Sequence, residues 1–313
     1  MEIDVARWRA VVRVLRSPVG VFFSTVYPTS CSLCGTPLPH FSYAPICDVC
    51  WTEISAAGLS AAPDEPLCSL CGDLIESAEH TPGQAHCRAC LRAKPAFAKA
   101  VFYGLYRGRM REAIYALKYD RVTPAARRLG GMLAEAIKQL DGQAPKEMLV
   151  VPVPLHRRKA AHRGFNQTRL LAKHAIAALR KTHPDWKLTL VPQALTRTRN
   201  TESQAGLAAH ERRTNMRGAF RAMSPERVHG RHVLVVDDIF TTGATARTAA
   251  RALKQAGAET VWVAALARAR RDAIDLRTYP REMEHITGKG LRQGEAEPIG
   301  TAGMFLSSTS STT

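Results

Sequence analysis

No segment of this sequence offers the roughly 20 consecutive apolar residues that a membrane-spanning helix requires. A secretory leader is missing too: acids and arginines interrupt the apolar residues of Met1–Arg16, so no long hydrophobic centre forms. Two common phosphate-binding patterns are absent, the Gly-x-x-x-x-Gly-Lys loop and the Gly-x-Gly-x-x-Gly turn of dinucleotide-binding folds. Aromatic residues make up only 6% of the 313. Acids are outnumbered, 27 against 44 Lys and Arg, for a formal net charge of +17. Cysteine does not occur outside residues 31–90. These absences predict a cytoplasmic, reduced chain whose basic field draws polyphosphates, single-stranded DNA, RNA or an acidic membrane surface.

What cysteine there is comes in a pattern. The eight form four Cys-x-x-Cys pairs: Cys31/Cys34, Cys47/Cys50, Cys68/Cys71 and Cys87/Cys90. Two such pairs complete one tetrahedral thiolate site, so four pairs predict structural Zn²⁺ in a small module that lacks a core of its own. The simplest assignment joins the first two pairs in one site and the last two in another; a crossed pairing satisfies the same count. Gly35 and Gly72 each follow the second cysteine of a pair, as a tight knuckle turn favours. His40, His80 and His86 are expected to be bystanders, because eight thiols already fill two sites.

Ahead of the cysteines, Val5, Trp8, Val11, Val12 and Leu15 fall at helical spacing among four arginines, an amphipathic lead-in over residues 1–30. It suits packing against the main domain or a partner helix, or a membrane surface. From Ala96 the pattern becomes that of a larger α/β domain. A strand is predicted over Ala100–Leu105, helices over Arg109–Tyr119 and Pro124–Leu140, and a buried strand over Met148–Val153. An Ala/Leu-rich helix follows, through about Arg180. Val233–Val236 and Val261–Leu266 are further apolar runs, joined by a helix over Ala246–Ala256, and short crossovers of this kind build a parallel sheet. Ser307–Thr313 is an uncharged Ser/Thr tail.

The most informative stretch starts on the third of these strands: Val233-Leu234-Val235-Val236-Asp237-Asp238-Ile239-Phe240-Thr241-Thr242-Gly243-Ala244-Thr245. Ligands of open α/β sheets lie beyond the carboxyl ends of the strands, where this turn falls. Thr241, Thr242 and Thr245 bring hydroxyls, Gly243 permits close backbone approach, and the amides around Ala244 open a helix whose positive end suits a phosphate. Asp237 and Asp238 suit the vicinal hydroxyls of a ribose with Mg²⁺ nearby. The stretch resembles the 5-phosphoribosyl-1-pyrophosphate (PRPP) motif of type I phosphoribosyltransferases. That resemblance implies that Asp237 and Asp238 hold the ribose and Thr241–Thr245 the 5-phosphate.

A second junction is cationic. The strand at Met148–Val153 runs into Pro154-Leu155-His156-Arg157-Arg158-Lys159, expected to be a turn that presents a nest for pyrophosphate. Thr196–Phe220 is polar and basic, and is expected to form a mobile hood with a short helix around Gln204–Arg212. Arg199 would there neutralise the departing pyrophosphate, and Arg163, Arg197, Arg199, Arg212 and Arg217 are candidate contacts to a nucleic-acid backbone. Between Val151 and His232 stand 17 Lys or Arg against 4 Asp or Glu, which sets the basic excess beside this site.

Taken in order, the cysteine pairs, Val151-Pro152-Val153-Pro154-Leu155-His156, Arg163-Gly164-Phe165-Asn166-Gln167, Gln204 with Arg212 and Asn215, and the acid-pair stretch closely resemble the ComF competence proteins over about Tyr27–Ala267. The resemblance implies an α/β fold, a type I phosphoribosyltransferase-like parallel sheet flanked by helices, with a small amino-terminal cysteine-rich zinc module. The expected division is lead-in 1–30, zinc module 31–95, phosphoribosyltransferase-like domain 96–270 and a poorly structured extension 271–313. It further implies one or two structural zinc ions, Mg²⁺ with PRPP, and single-stranded DNA as a partner. The expected role is natural transformation, in the cytoplasm or at the inner membrane beside a DNA-uptake helicase or channel. Two functions follow: an enzyme that transfers phosphoribosyl to a nitrogen acceptor, or a PRPP-sensing or DNA-binding module without turnover.

Overall fold

The computed structural model describes residues 30–38, 45–59, 66–75, 85–198 and 218–269. The expected lead-in helix, His40 and His80, the short helix within the hood, Arg199, Arg212 and Arg217, and the extension beyond 271 lie outside them, as do the side chains of Arg158 and His162.

Two cysteine knuckles open the described chain, and they are built alike. Each reads Cys-Ser-Leu-Cys-Gly, at Cys31–Gly35 and Cys68–Gly72. In each the glycine amide returns to the first cysteine carbonyl, Gly35 to Cys31 and Gly72 to Cys68. Both glycines hold positive φ, 74° and 62°, which a side chain would strain. A helix starts at each second Cys-x-x-Cys pair, α1 (Asp48–Leu59) and the short α2 (Arg88–Arg92).

The sequence then alternates strand and helix: β1 (Ala100–Leu105), α3 (Gly108–Lys118), α4 (Ala126–Lys138), β2 (Glu147–Pro152), α5 (Arg157–Arg163), α6 (Gln167–Thr182) and β3 (Lys187–Leu190). An antiparallel ribbon follows, β4 (Leu195–Arg197) with β5 (Phe220–Ala222), then the single turn α7 (Pro225–Val228), β6 (His232–Phe240), α8 (Ala244–Gln255) and β7 (Thr260–Arg268). Pro124 stands in a 3-10 turn, Thr123–Ala125, so the helix expected from it begins one turn later.

β1, β7, β6, β2 and β3 form one parallel sheet in that order. The central strands are apolar on both sides because helices cover both faces. Leu234, Val236 and Val150 point into a core shared with Leu129, Leu133 and Ile137 of α4 and Leu171 and Leu179 of α6. Val233, Val235, Leu149 and Val151 point the other way, into a core shared with Ala249, Ala250 and Leu253 of α8. Each buried Val or Leu contributes about 1.5–3 kcal/mol. The cysteine modules divide between the same faces: Cys31 and Cys50 lie in the first core with Trp51 and Ile54, and Cys68, Cys71, Cys87 and Cys90 in the second.

From β2 the chain crosses to β3 through α6 on one face. From β6 it crosses to β7 through α8 on the other. The carboxyl ends of β2 and β6 therefore flank the crevice where connections leave in opposite directions, the usual ligand position of such sheets.

Three details depart from the sequence reading. β3 and the β4–β5 ribbon are short, half-exposed strands whose pattern was too brief to read. Arg157–Lys159 open a helix rather than a turn. The strand carrying the acids does not end at them: β6 continues through both to Phe240.

Candidate functional site

The sheet register explains where the acids point. β2 pairs with β6 as far as Pro152 opposite Val236, whereas β6 stays paired with β7 to Phe240 opposite Arg268. Asp237 and Asp238 thus overhang the crevice just past the last β2 pairing. Side chains alternate along a strand, so the two carboxylates leave on opposite faces.

Asp238 shares its face with α3 and α6. It is 4% exposed, and its Oδ2 accepts from Gln167 Nε2 at 2.8 Å and pairs with Lys118 Nζ at 2.9 Å. Asp238 is therefore held from two helices. Burial alone would lower the Lys118 ammonium, but the charge and hydrogen bond of Asp238 raise it above its ordinary value.

Asp237 faces the β4–β5 side and is half-buried. Burial first, and then the charge of Asp238, push its carboxyl up to about 8. Arg197 lies close enough to oppose that shift, with its guanidinium 5.7 Å over the Phe220 ring.

Across the crevice, Arg157, Arg158 and Lys159 stand on the first turn of α5. Helical rotation separates those residues: Arg157 is exposed, while Lys159 turns inward and is half-buried. Burial lowers the Lys159 ammonium, and the positive charges of Arg197, Arg163 and Lys118 lower it further. Four cations from α3, α5 and β4 converge there, an arrangement that a polyanion stabilises. Leu155 and His156 are half-buried at its edge.

Residues quoted from the Arg-Gly-Phe-Asn-Gln segment brace this geometry. Asn166 caps α6 by accepting from the amides of Thr168 and Arg169, and its Nδ2 donates to the Val153 carbonyl at 3.1 Å, tying the helix to the end of β2. Gln167 then reaches Asp238. Lys118 was the residue missed as part of the site; its one sequence signal was a lysine beside Ile114 and Leu117 on the inner stripe of α3.

Thr241, Thr242 and Thr245 are half-buried around the start of α8. The N-cap, Gly243, has no side chain to offer, the Ala244 amide donates to Thr242 Oγ1 at a long 3.4 Å, and the positive end of the helix dipole faces the loop. Gly243, at φ 74° and ψ 7°, is required here by packing as well as by conformation. A Cβ at that position would come within 2.6 Å of the Phe240 ring. Phe240 is itself enclosed by Phe97 and Phe102, at centroid distances of 6.3 and 5.0 Å. Gly243→Ala is expected to destabilise the loop by about 1–3 kcal/mol. Guanidinium denaturation checks it; an unchanged midpoint would show that the loop tolerates a side chain.

The four sulfurs of Cys31, Cys34, Cys47 and Cys50 lie within 4.8 Å of one another, and so do those of Cys68, Cys71, Cys87 and Cys90. Sulfurs about 2.3 Å from a central ion stand about 3.8 Å apart in a tetrahedron. The separations fit: 3.8 Å for Cys31–Cys50, 3.7 Å for Cys34–Cys47 and 3.6 Å for Cys71–Cys87. These distances exclude disulfides. The thiols also crowd one another electrostatically. Cys68 is driven down by hydrogen bonds with Cys71 and Cys90, while Cys71 is driven up by those with Cys68 and Cys90, and Cys90, chiefly through Cys68, rises to about 12. Four thiolates coexist in that volume only with a cation among them. The pairing is the uncrossed one, and His86 is half-buried outside both clusters.

The second cluster reaches the helix that follows the 241–243 turn directly. Arg247, in the first turn of α8, donates to Cys90 Sγ at 3.0 Å and to the Ala93 carbonyl at 2.6 Å. Arg268, at the end of β7 and 5% exposed, pairs with Asp73 of the second knuckle at 2.8 Å and lies 4.8 Å over the Phe240 ring.

A parallel sheet with this switch point, an acid pair overhanging it and an uncapped helix start beyond it define a phosphoribosyltransferase-type α/β protein. Residues 167–295 match the family described as phosphoribosyl transferase domain. The chain belongs to the ComF/YhgH-like family of competence proteins. It is 35% identical over 245 residues to DNA utilization protein YhgH of Escherichia coli O157:H7, covering 77% of this chain and 97% of that one. It is 28% identical over 233 residues to Competence protein F of Haemophilus influenzae, covering 74% and 93%. Competence protein ComFC of Bacillus subtilis matches over a shorter stretch, 30% over 112 residues, covering 36% and 40%. Among the described residues no helix is long and apolar enough to cross a membrane.

Proposed function

We propose that the chain binds PRPP, or a closely related phosphorylated ribose, in the crevice between β2 and β6, and that it handles single-stranded DNA during natural transformation. One juxtaposition carries the reading: an acid pair for vicinal hydroxyls stands between an uncapped helix start and a separate cluster of four cations. That order matches a ribose with a phosphate at one end and a pyrophosphate at the other. Asp237 and Asp238 hold the hydroxyls, with Lys118 paired to Asp238 at 2.9 Å. Thr241, Thr242, Gly243, Ala244 and Thr245 hold the 5-phosphate. Leu155–Lys159, with Arg197, face the pyrophosphate. Mg²⁺, for which carboxylate and phosphate oxygens are suitable ligands, neutralises part of the pyrophosphate charge. The two cysteine clusters hold zinc as structural ions, since four thiolates leave no open position for chemistry.

In the enzymatic form of this reading a nitrogen nucleophile attacks C1. The C1–N bond forms as the C1–O bond breaks, pyrophosphate leaves with the bonding pair, and the nucleophile gives its proton to solvent. The cations act on the departing charge, a role in which Arg199 is also expected. A second form, binding without turnover, is favoured by the relatives' own descriptions, which speak of DNA utilization and competence rather than transfer. In both forms Arg163, Arg197, Arg199, Arg212 and Arg217 contribute to the field that attracts the DNA backbone, and a helicase or channel of DNA uptake is the expected protein partner.

Calorimetry with PRPP, with and without Mg²⁺, tests the site. Micromolar binding, about −8 kcal/mol, is expected only with Mg²⁺. Proton release should accompany it. Asp237 titrates near 8 in the free protein and near 3.8 when unfolded, so it is largely protonated at pH 7, whereas ribose hydroxyls donate to the ionised form. Affinity should therefore rise with pH up to about 8. By the same shift, stability of the free protein falls as pH rises from about 4 to 8, because only the unfolded carboxyl ionises readily in that window. Asp237→Asn should remove both effects. Absence of PRPP binding in folded, metal-loaded protein would overturn the site assignment.

A further inference from the structure

Tyr115 and Tyr119 are unusual positions in an otherwise orderly helix. The inner stripe of α3, Met110, Ala113, Ile114 and Leu117, is fully buried, whereas these two aromatic residues are 41% and 43% exposed. They are one turn apart, with ring centroids at 4.7 Å and planes inclined by 42°, so the rings form a continuous apolar surface. The guanidinium of Arg163 stands 5.0 Å over the Tyr119 ring and extends that surface.

Charge surrounds the pair. Arg111 precedes Tyr115 by four residues, on the same side of the helix, and exposed Arg107 stands immediately before the helix. Exposed Arg121 follows Tyr119 by two residues with φ 56°, the non-glycine residue held at positive φ among those described. A left-handed arginine costs about 1 kcal/mol or more, and such strain is kept where the surroundings or a function demand it.

The rings are also wired to the site. Arg163 Nη1 donates to Gln167 Oε1 at 2.8 Å, Gln167 Nε2 donates to Asp238 at 2.8 Å, and Asp238 pairs with Lys118, the residue next to Tyr119. A circuit therefore closes from the exposed aromatic face through Arg163, Gln167 and Asp238 back to α3.

We propose that Tyr115, Tyr119 and Arg163 form a stacking platform for unpaired bases of single-stranded DNA, set at the mouth of the ribose site. Aromatic faces ringed by cations bind single strands by stacking bases while the backbone follows the positive field. A duplex, whose bases are already stacked, gains nothing from such a surface. The platform rests on the DNA-handling half of the function proposed above, and it is independent of whether PRPP is bound.

The test uses the full-length, metal-loaded protein, a fluorescent oligothymidylate, and the same strand annealed to its complement. Stacking contributes about 1–3 kcal/mol per base, so Tyr115→Ala with Tyr119→Ala should weaken single-strand binding by about 30-fold or more. Duplex affinity and the slope of single-strand affinity against salt should not change, because no phosphate contact is lost. Tyr→Phe at both positions should restore single-strand affinity, since the ring faces remain. Unchanged single-strand affinity in the double alanine variant would overturn the platform. So would a Phe variant as weak as the Ala variant, which would point to the hydroxyls, or an equal loss of duplex binding, which would point to general charge or a docked protein. PRPP calorimetry on the same variants separates the two assignments: a protein that never binds PRPP but shows the tyrosine effect loses the ribose site and keeps the platform.

Discussion

Removing the metal from the second cysteine cluster is expected to abolish PRPP binding. A Cys71→Ser variant should lose one zinc per chain, and its phosphate loop should lose its backing. Arg247 holds the first turn of α8 to Cys90, and Arg268 holds the end of β7 to Asp73. Gly72 lies against the Phe102 ring, which packs edge-on to Phe240 beneath Gly243. A structural zinc site carries about 10–16 kcal/mol of apparent binding free energy, comparable with the whole stability of a domain, about 5–15 kcal/mol. No rearrangement of those few contacts offsets such a loss. The check is zinc content beside PRPP calorimetry during a chelator titration. Linkage also runs in reverse, so saturating PRPP with Mg²⁺ should slow or weaken extraction of one of the two ions. Retained PRPP affinity in a chain that has lost that zinc would show the cluster to be a separate module. A Cys50→Ser variant offers the contrast, because its cluster packs with Trp51 and Ile54 on the opposite face and should disturb α3 rather than the loop.

The second large effect is expected at Lys118. Lys118→Met should destabilise the protein by about 3–5 kcal/mol, the usual consequence of leaving one member of a buried ion pair alone. The side chains are 16% and 6% exposed, and solvent does little to screen the stranded carboxylate. Adding Asp238→Asn should recover most of the stability by removing that charge, while PRPP affinity stays lost because a ribose-binding acid is gone. Thermal melts of the four proteins in the cycle give the coupling. Simple additivity of the two substitutions would mean that the pair contributes no interaction in solution.

Much of this architecture was readable before any coordinates. The strands predicted at Ala100–Leu105 and Met148–Val153 and the runs at Val233 and Val261 were legible because burial on both faces leaves nearly continuous apolar stretches. The four Cys-x-x-Cys pairs were legible as two thiolate sites, but which pairs join was settled only by the grouping of the sulfurs in space. What escaped depends on partners distant in the chain. Nothing local to Tyr119 reveals that Arg163 lies over it, and nothing near Lys118 reveals Asp238. The turn expected at Arg157–Lys159 is instead the start of α5, and helical rotation, which the sequence does not display, leaves Arg157 exposed while Lys159 turns inward. Asp237 and Asp238 are conspicuous in the sequence, but their separation onto opposite faces follows from β6 continuing to Phe240, which the polar turn residues concealed.

The strand order has a consequence for how the chain matures. β1 pairs with β7, so residues 100–105 wait for residues 260–268 before their side of the sheet exists. Contacts that distant in sequence form slowly, because a long loop must close before any reward arrives. The cysteine knuckles need only neighbours within a few tens of residues and a metal ion. During synthesis they emerge first and can be complete long before β7 leaves the ribosome. Two small prefolded bodies then wait on either side of an unpaired strand, and β7, the last of the described strands, slots between β1 and β6 to join them. Metal supply during translation, rather than after it, would then govern the yield of native protein.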